Sequence, residues 1–131
     1  MKIGLDIHGV LDKHLFLKEL AALLVSNGHE VHIITGAMWE NKSNVELEQL
    51  GIMRGIHYTH FFSIADTLLS GGAEVEWKDD VNPVFDEYLW NKIKGDYCKN
   101  HKIDFHLDDS DIYGKYFSTP YAQLHDNKKG S

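Results

Sequence analysis

The sequence predicts an α/β fold, a parallel sheet flanked by helices, and three observations lead there. Short aliphatic or β-branched runs at 3–7, 31–34 and 103–107 have the length and composition of buried strands. Stretches with helical apolar spacing lie between them, so strand and helix alternate with short links. Each run ends in small or acidic residues: Asp6 and His8, then Thr35 and Gly36, then Asp108 and Asp109. Open α/β sheets bind ligands outside the carboxyl ends of their strands, so these groups stand where chemistry rather than packing is expected.

The elements follow in order. After the first strand, residues 15–27 carry Leu17, Leu20, Ala21, Leu24 and Val25 on one helical face, and Gly28 follows as a C-terminal cap. Residues 31–34 form the second strand, which closes a βαβ unit. A second helix is expected over 39–50, ended by Gly51, and a third strand over 56–62. One or two helical turns over 63–69 precede Gly71 and Gly72. The stretch 71–83 reads as an exposed excursion, a small lid or hairpin: Glu74 to Trp77 alternate like an edge strand, and Asp79-Asp80 and Asn82-Pro83 form turns.

A long helix over 84–99 is predicted from Phe85, Leu89, Ile93 and Tyr97 at four-residue intervals. It leads into the strand 103–107 and its acidic end. Residues 113–124 are aromatic and irregular, with a short last strand near 121–124, and 125–131 read as a frayed polar tail.

The chain of 131 residues suits one domain with a real core. A hydrophobic share of 43% is globular, and no apolar run approaches the roughly 18 residues of a membrane span. The absence of signal-peptide anatomy and a single cysteine, Cys98, lead us to expect a reducing, cytoplasmic setting. A formal charge of −7 disfavours general nucleic-acid binding, although a metal and backbone N–H groups can still hold one phosphate locally. The nine histidines show no zinc-ligand spacing. His29 and His32, like His57 and His60, are three apart, which on a strand places each pair on opposite faces and argues against a shared metal.

Two carboxylates brought together from separate strands make a hard-oxygen site suited to magnesium. A threonine hydroxyl, the N–H groups after it and a lysine would then bind a phosphoryl group. At this point the chain resembles the haloacid dehalogenase-like hydrolases, most of which are magnesium-dependent phosphatases. The first motif of that family is an Asp nucleophile, any residue, a second Asp, Gly, then Val or Thr; here it reads Asp6-Ile7-His8-Gly9-Val10. The second, a Ser or Thr ending a hydrophobic strand, is matched by Ile33-Ile34-Thr35-Gly36. A lysine in the helix before the acidic strand is matched by Lys94, with Lys92 as the fallback. The acidic pair after that strand is matched by Asp108-Asp109.

The resemblance implies a three-layer, Rossmann-like domain with no substantial cap, because the segments between motifs are used up by single helices and strands. It implies that Asp6 attacks phosphorus and forms an aspartyl-phosphate. Mg2+ would be held by Asp6, the backbone carbonyl of His8 and Asp109, with Asp108 supporting. Gly9, Thr35, Gly36 and Lys94 would bind the phosphate of a small phosphorylated substrate, a nucleotide or another phosphomonoester. No membrane is involved, and a homo-oligomer can supply a lid from a neighbour. His8 stands where the family has its second Asp, the general acid and base. An imidazole can move protons near neutral pH, but beside a cation its protonated form is disfavoured, which leaves less of it to act as the acid. A catalytically impaired phosphate- and metal-binding protein is therefore the alternative. A phospho-acceptor receiver domain is disfavoured, since its acidic pair follows the first strand rather than the strand after the lysine helix.

Overall fold

The computed structural model describes residues 1–125. Five strands form one parallel sheet: β1 (Lys2–Leu5), β2 (Glu30–Thr35), β3 (His60–Ser63), β6 (Phe105–Asp108) and β7 (Tyr121–Gln123), in the order β3-β2-β1-β6-β7. β4 (Glu76–Asp79) and β5 (Asn82–Val84) pair separately as an antiparallel hairpin. The helices are α1 (Leu15–Ser26), α2 (Asn44–Leu50), α3 (Ile64–Ser70) and α4 (Glu87–Asn100). The chain runs outward from β1 to β3 and then returns to the other side of β1. The switch in strand order therefore falls between β1 and β6, where open sheets of this kind leave a crevice.

Alternation along β2 divides the core. Val31 and Ile33 join Leu5, Leu17, Ala21 and Leu47 on the face covered by α1 and α2. Ile34 lies on the other face with Cys98 and Ile103, under α4. Each fully buried aliphatic side chain stabilises the fold by about 1.5–3 kcal/mol. No helix among the described residues is long and apolar enough to cross a membrane.

Several elements differ from the sequence expectation, each for a local reason. β1 stops at Leu5, and residues Ile7–Leu11 make one wide turn closed by Asp12 N–H on the Ile7 carbonyl (3.1 Å). The helix expected over 39–50 is broken: Asn41 adopts φ +60°, a left-handed conformation that Asn tolerates, so regular helix begins only at Asn44. The strand expected over 56–62 is shorter, because His57 N–H bonds back to the Met53 carbonyl (2.9 Å) and regular pairing starts at His60. α3 is capped by Ser63 Oγ, which accepts from Asp66 N–H at 3.0 Å.

The largest departure is the buried face of α4. Apolar periodicity points to Phe85, Leu89, Ile93 and Tyr97, yet Leu89 is 42% exposed and the buried stripe is Asn91, Lys94, Gly95 and Cys98. Gly95 is required there, since a Cβ would collide with the Tyr116 carbonyl oxygen. Lys94 is there because two carboxylates are. On α1, Leu20 of the predicted inner face is likewise exposed. The tail expected over 125–131 lies, beyond His125, outside the described residues.

Candidate functional site

Asp6 is the first residue past β1. Its N–H bonds the Leu107 carbonyl of β6 (3.2 Å), and its Oδ1 accepts from Ile7 N–H (2.8 Å). These bonds hold a buried carboxylate at the gap between β1 and β6, beside Asp108 at the end of β6. Lys94 reaches the same gap from α4, with Nζ 3.0 Å from Asp6 Oδ2 and 2.7 Å from Asp108 Oδ2. Only 1% of Lys94 is exposed, and its ammonium also stands 4.5 Å from the centre of the Tyr113 ring.

The acidic pair divides its work. Asp108 Oδ1 accepts from the N–H groups of Asp109 (2.9 Å) and Ser110 (3.2 Å), and Oδ2 takes Lys94 together with His106 Nε2 at 3.0 Å. Burial pushes its pKa up, but the His106 hydrogen bond and the Lys94 charge outweigh that, so Asp108 stays ionised. With both oxygens engaged, it is placed to support. Asp109 is exposed, and among the described residues no side chain donates to its carboxylate. Partial desolvation and the charges of Asp108 and Asp6 raise its pKa. Asp6 is raised as well, by burial first and Asp108 next, against the lowering effect of Lys94.

Oxygens of Asp6, Asp108 and Asp109 lie within 4.8 Å of one another. Three carboxylates face one ammonium, so the cluster carries excess negative charge, and its donors are hard oxygens. That chemistry fits a divalent cation of the magnesium type: among the described residues Asp108 already accepts four bonds, whereas Asp6 accepts two and Asp109 none from a side chain, so Asp6 and Asp109 keep lone pairs to hold it.

A cavity of about 380 Å³ opens over Asp6. Asp6, His8, Thr35, Gly36, Lys94 and Asp109 all line it. Thr35 is fully buried at the end of β2, and among the described residues its Oγ1 has no hydrogen-bond partner. Buried hydroxyls are rarely left unpaired, and one lining a cavity is a ready donor to a ligand oxygen. Gly36 backs onto Trp90, whose Cζ2 would be only 2.6 Å from an added Cβ. Gly9 differs from the rest. It does not line the cavity, its N–H already donates to Asp12 Oδ1 (2.7 Å), and a side chain at its φ of +76° would strike the Asp109 carboxylate. The phosphate-binding N–H expected from the sequence at Gly9 is thus engaged, and the residue's contribution is room for Asp109.

Thr35→Val offers a direct check. Removing an unpaired buried hydroxyl should raise stability by about 1 kcal/mol in urea unfolding. The same variant should bind orthophosphate more weakly by calorimetry.

Further residues complete the cavity wall. The tip of the β4–β5 hairpin, Val81, Asn82 and Pro83, forms one wall. It is tied down by Lys42 Nζ on Asn82 Oδ1 (2.5 Å), and Asn82 Nδ2 is held by Asp79 at 2.7 and 2.9 Å. Trp90 Nε1 donates to Tyr113 Oη at 2.9 Å, which braces the ring beside Lys94. His8, half-exposed at the cavity edge, pairs through Nε2 with Glu46 Oε2 of α2 at 2.5 Å. Nothing in local spacing announces these long-range partners. Comparison with known proteins gives no matching family model, curated protein or solved structure.

Proposed function

We propose that this chain is a Mg2+-dependent phosphohydrolase of the haloacid dehalogenase-like type, essentially without a cap, acting on a small phosphomonoester such as a nucleotide. The observation that carries the reading is the convergence of Asp6, Lys94, Asp109 and the unpaired Thr35 hydroxyl on one cavity at the switch in strand order. A cytoplasmic setting belongs to the same reading.

The chemistry follows from the placement. Asp6 attacks phosphorus, the bond to the ester oxygen breaks, and an aspartyl-phosphate forms. His8 gives its proton to the departing oxygen, then takes one from the water that attacks the acyl phosphate, so that phosphate leaves and Asp6 is restored. Lys94 and Thr35 bind phosphoryl oxygens, and Lys94 offsets charge that builds on them. A bound Mg2+ would neutralise phosphate charge from Asp6, Asp109 and the His8 carbonyl. Glu46 Oε2 lies against His8 Nε2, a contact that orients the ring and leaves Nδ1 for proton exchange.

Glu46→Gln should therefore lower kcat by about tenfold with KM little changed, because the ring loses its orienting charge and not its reach. Steady-state kinetics check this, and an unaltered kcat would reduce Glu46 to a packing contact.

One observation favours a non-catalytic reading. Lys94 donates directly to Asp6 Oδ2, and a carboxylate oxygen held by an ammonium is a poorer nucleophile. On that reading, together with His8 in the acid position, the chain binds metal and phosphate without turnover. Phosphate release from a panel of phosphomonoesters, with Mg2+ and with chelator, separates the two. Release that needs Mg2+ supports the hydrolase. Failure of release, with orthophosphate still bound in a Mg2+-dependent manner, supports the binder.

A further inference from the structure

The other end of β2 holds a second cluster, unrelated to the carboxylates around Asp6. Glu30 opens β2 and His60 opens β3; His32 and His60 are direct register partners. Glu30 and His32 are two apart, so the strand puts them on one face, and parallel pairing adds His60 to it. His29 and His57, expected to share strands with His32 and His60, instead precede β2 and β3. The pair that does share a face, His32 and His60, meets across strands.

His32 Nε2 is 2.9 Å from Glu30 Oε1, and His60 Nδ1 is 3.9 Å from the same oxygen. One ligand atom from each of the three lies within 4.8 Å of the others. His32 is otherwise fixed: it is 1% exposed, and its Nδ1 is 2.6 Å from Tyr97 Oη on α4. In the structure Nε2–H donates to Glu30 Oε1 and Nδ1 accepts from Tyr97 Oη; a metal at Nε2 selects the other tautomer, with the proton on Nδ1 and donated to Tyr97 Oη. A hydrogen bond to the second ring nitrogen is the usual support of a metal-binding histidine.

We propose that Glu30, His32 and His60 form a transition-metal site, of Zn2+ type, at the amino-terminal edge of the sheet. Two imidazoles and one carboxylate are a borderline donor set, better matched to Zn2+ than to Mg2+, and three protein ligands leave a fourth position for water. The His32 and His60 rings lie parallel, 5° apart in plane and 4.2 Å between centroids, so their lone pairs do not converge as they stand. Capture of the ion turns His60 out of this stack. His60 can do so, since its side chain is 48% exposed. His32 precedes Thr35 by three residues and Glu30 by five, so this site lies about 10–17 Å along the strand from the Asp6 cavity and stands or falls independently of it.

The test is calorimetric titration of Zn2+ into the full chain with Mg2+ held in excess to occupy the carboxylate site. One saturable equivalent is expected. His60→Ala and Glu30→Gln should each weaken it by at least about tenfold, and Tyr97→Phe by a comparable factor through the supporting bond. Asp109→Asn should leave Zn2+ affinity as it was. His60 is exposed, so its replacement does not threaten folding, and circular dichroism verifies this. Co2+ in place of Zn2+ should give visible bands of nitrogen ligation that vanish in His60→Ala. No saturable Zn2+ binding, or binding that ignores His60→Ala, overturns the proposal.

Discussion

Lys94→Met should destabilise the protein by about 3–5 kcal/mol, the range for removing one member of a buried charge cluster. The size follows from what is left behind. Lys94 Nζ is the cation shared by Asp6 and Asp108, both nearly sealed from solvent, so methionine fills the space of the stem and strands two carboxylates. Burial tends to lower the Lys94 pKa, yet the two carboxylates hold it above the ordinary lysine value, which shows that the cluster favours the charge. Urea unfolding reads the loss.

A pH series adds a sign that simple packing damage lacks. Without Lys94, the stranded carboxylates have folded pKa values above their unfolded ones, so the folded state binds more protons and the variant gains stability as pH falls from about 7 towards 5. In the wild type, Asp108 has a depressed folded pKa, so its contribution is present above the unfolded value and is lost as pH falls. The gap between the two proteins should narrow on acidification. A variant as stable as wild type at neutral pH would mean that water already solvates both acids.

The same cluster explains which parts of the molecule were legible in its sequence. β1, β2 and β6 are apolar runs bounded by polar ends, and composition alone marks them. Asp6, Thr35, Lys94, Asp108 and Asp109 each stand at a recognisable position, and the fold gathers all but Asp108 round one cavity, with Asp108 bonded to Lys94 behind it. α4 was legible as a helix and misleading as to its face. Apolar periodicity finds the stripe that meets a core, but the stripe of α4 that meets the sheet includes Lys94 at a charged site and Gly95 against a backbone oxygen. Tertiary partners overrode the local pattern there.

What stayed hidden is pairing across distance. Glu46 reaches His8 from a separate helix, and His106 supports Asp108 from inside a strand, where it reads as a core residue. His32 meets His60 only through the register of two strands, which no spacing within either strand encodes. Asn41 is the local counterpart: a single left-handed residue shortened a helix whose composition was otherwise continuous.

Asp6→Asn should have the largest functional effect with none of the structural cost of Lys94→Met. On the proposed mechanism, loss of Asp6 as nucleophile lowers phosphate release by at least about a thousandfold, measured as kcat with Mg2+ present. Stability should be equal to wild type or above it. Asp6 has a pKa raised by burial and by Asp108, and an acid whose folded pKa exceeds its unfolded one makes the fold less stable wherever it is ionised. An amide removes that cost; it places an NH2 near Lys94, but the lysine keeps its shorter bond to Asp108 at 2.7 Å. An inactive variant with an undiminished midpoint is the signature of a charge retained for chemistry at the expense of the fold. If Asp6→Asn instead unfolded as readily as Lys94→Met, Asp6 would be a structural partner of the lysine, and the case for it as a nucleophile would fail.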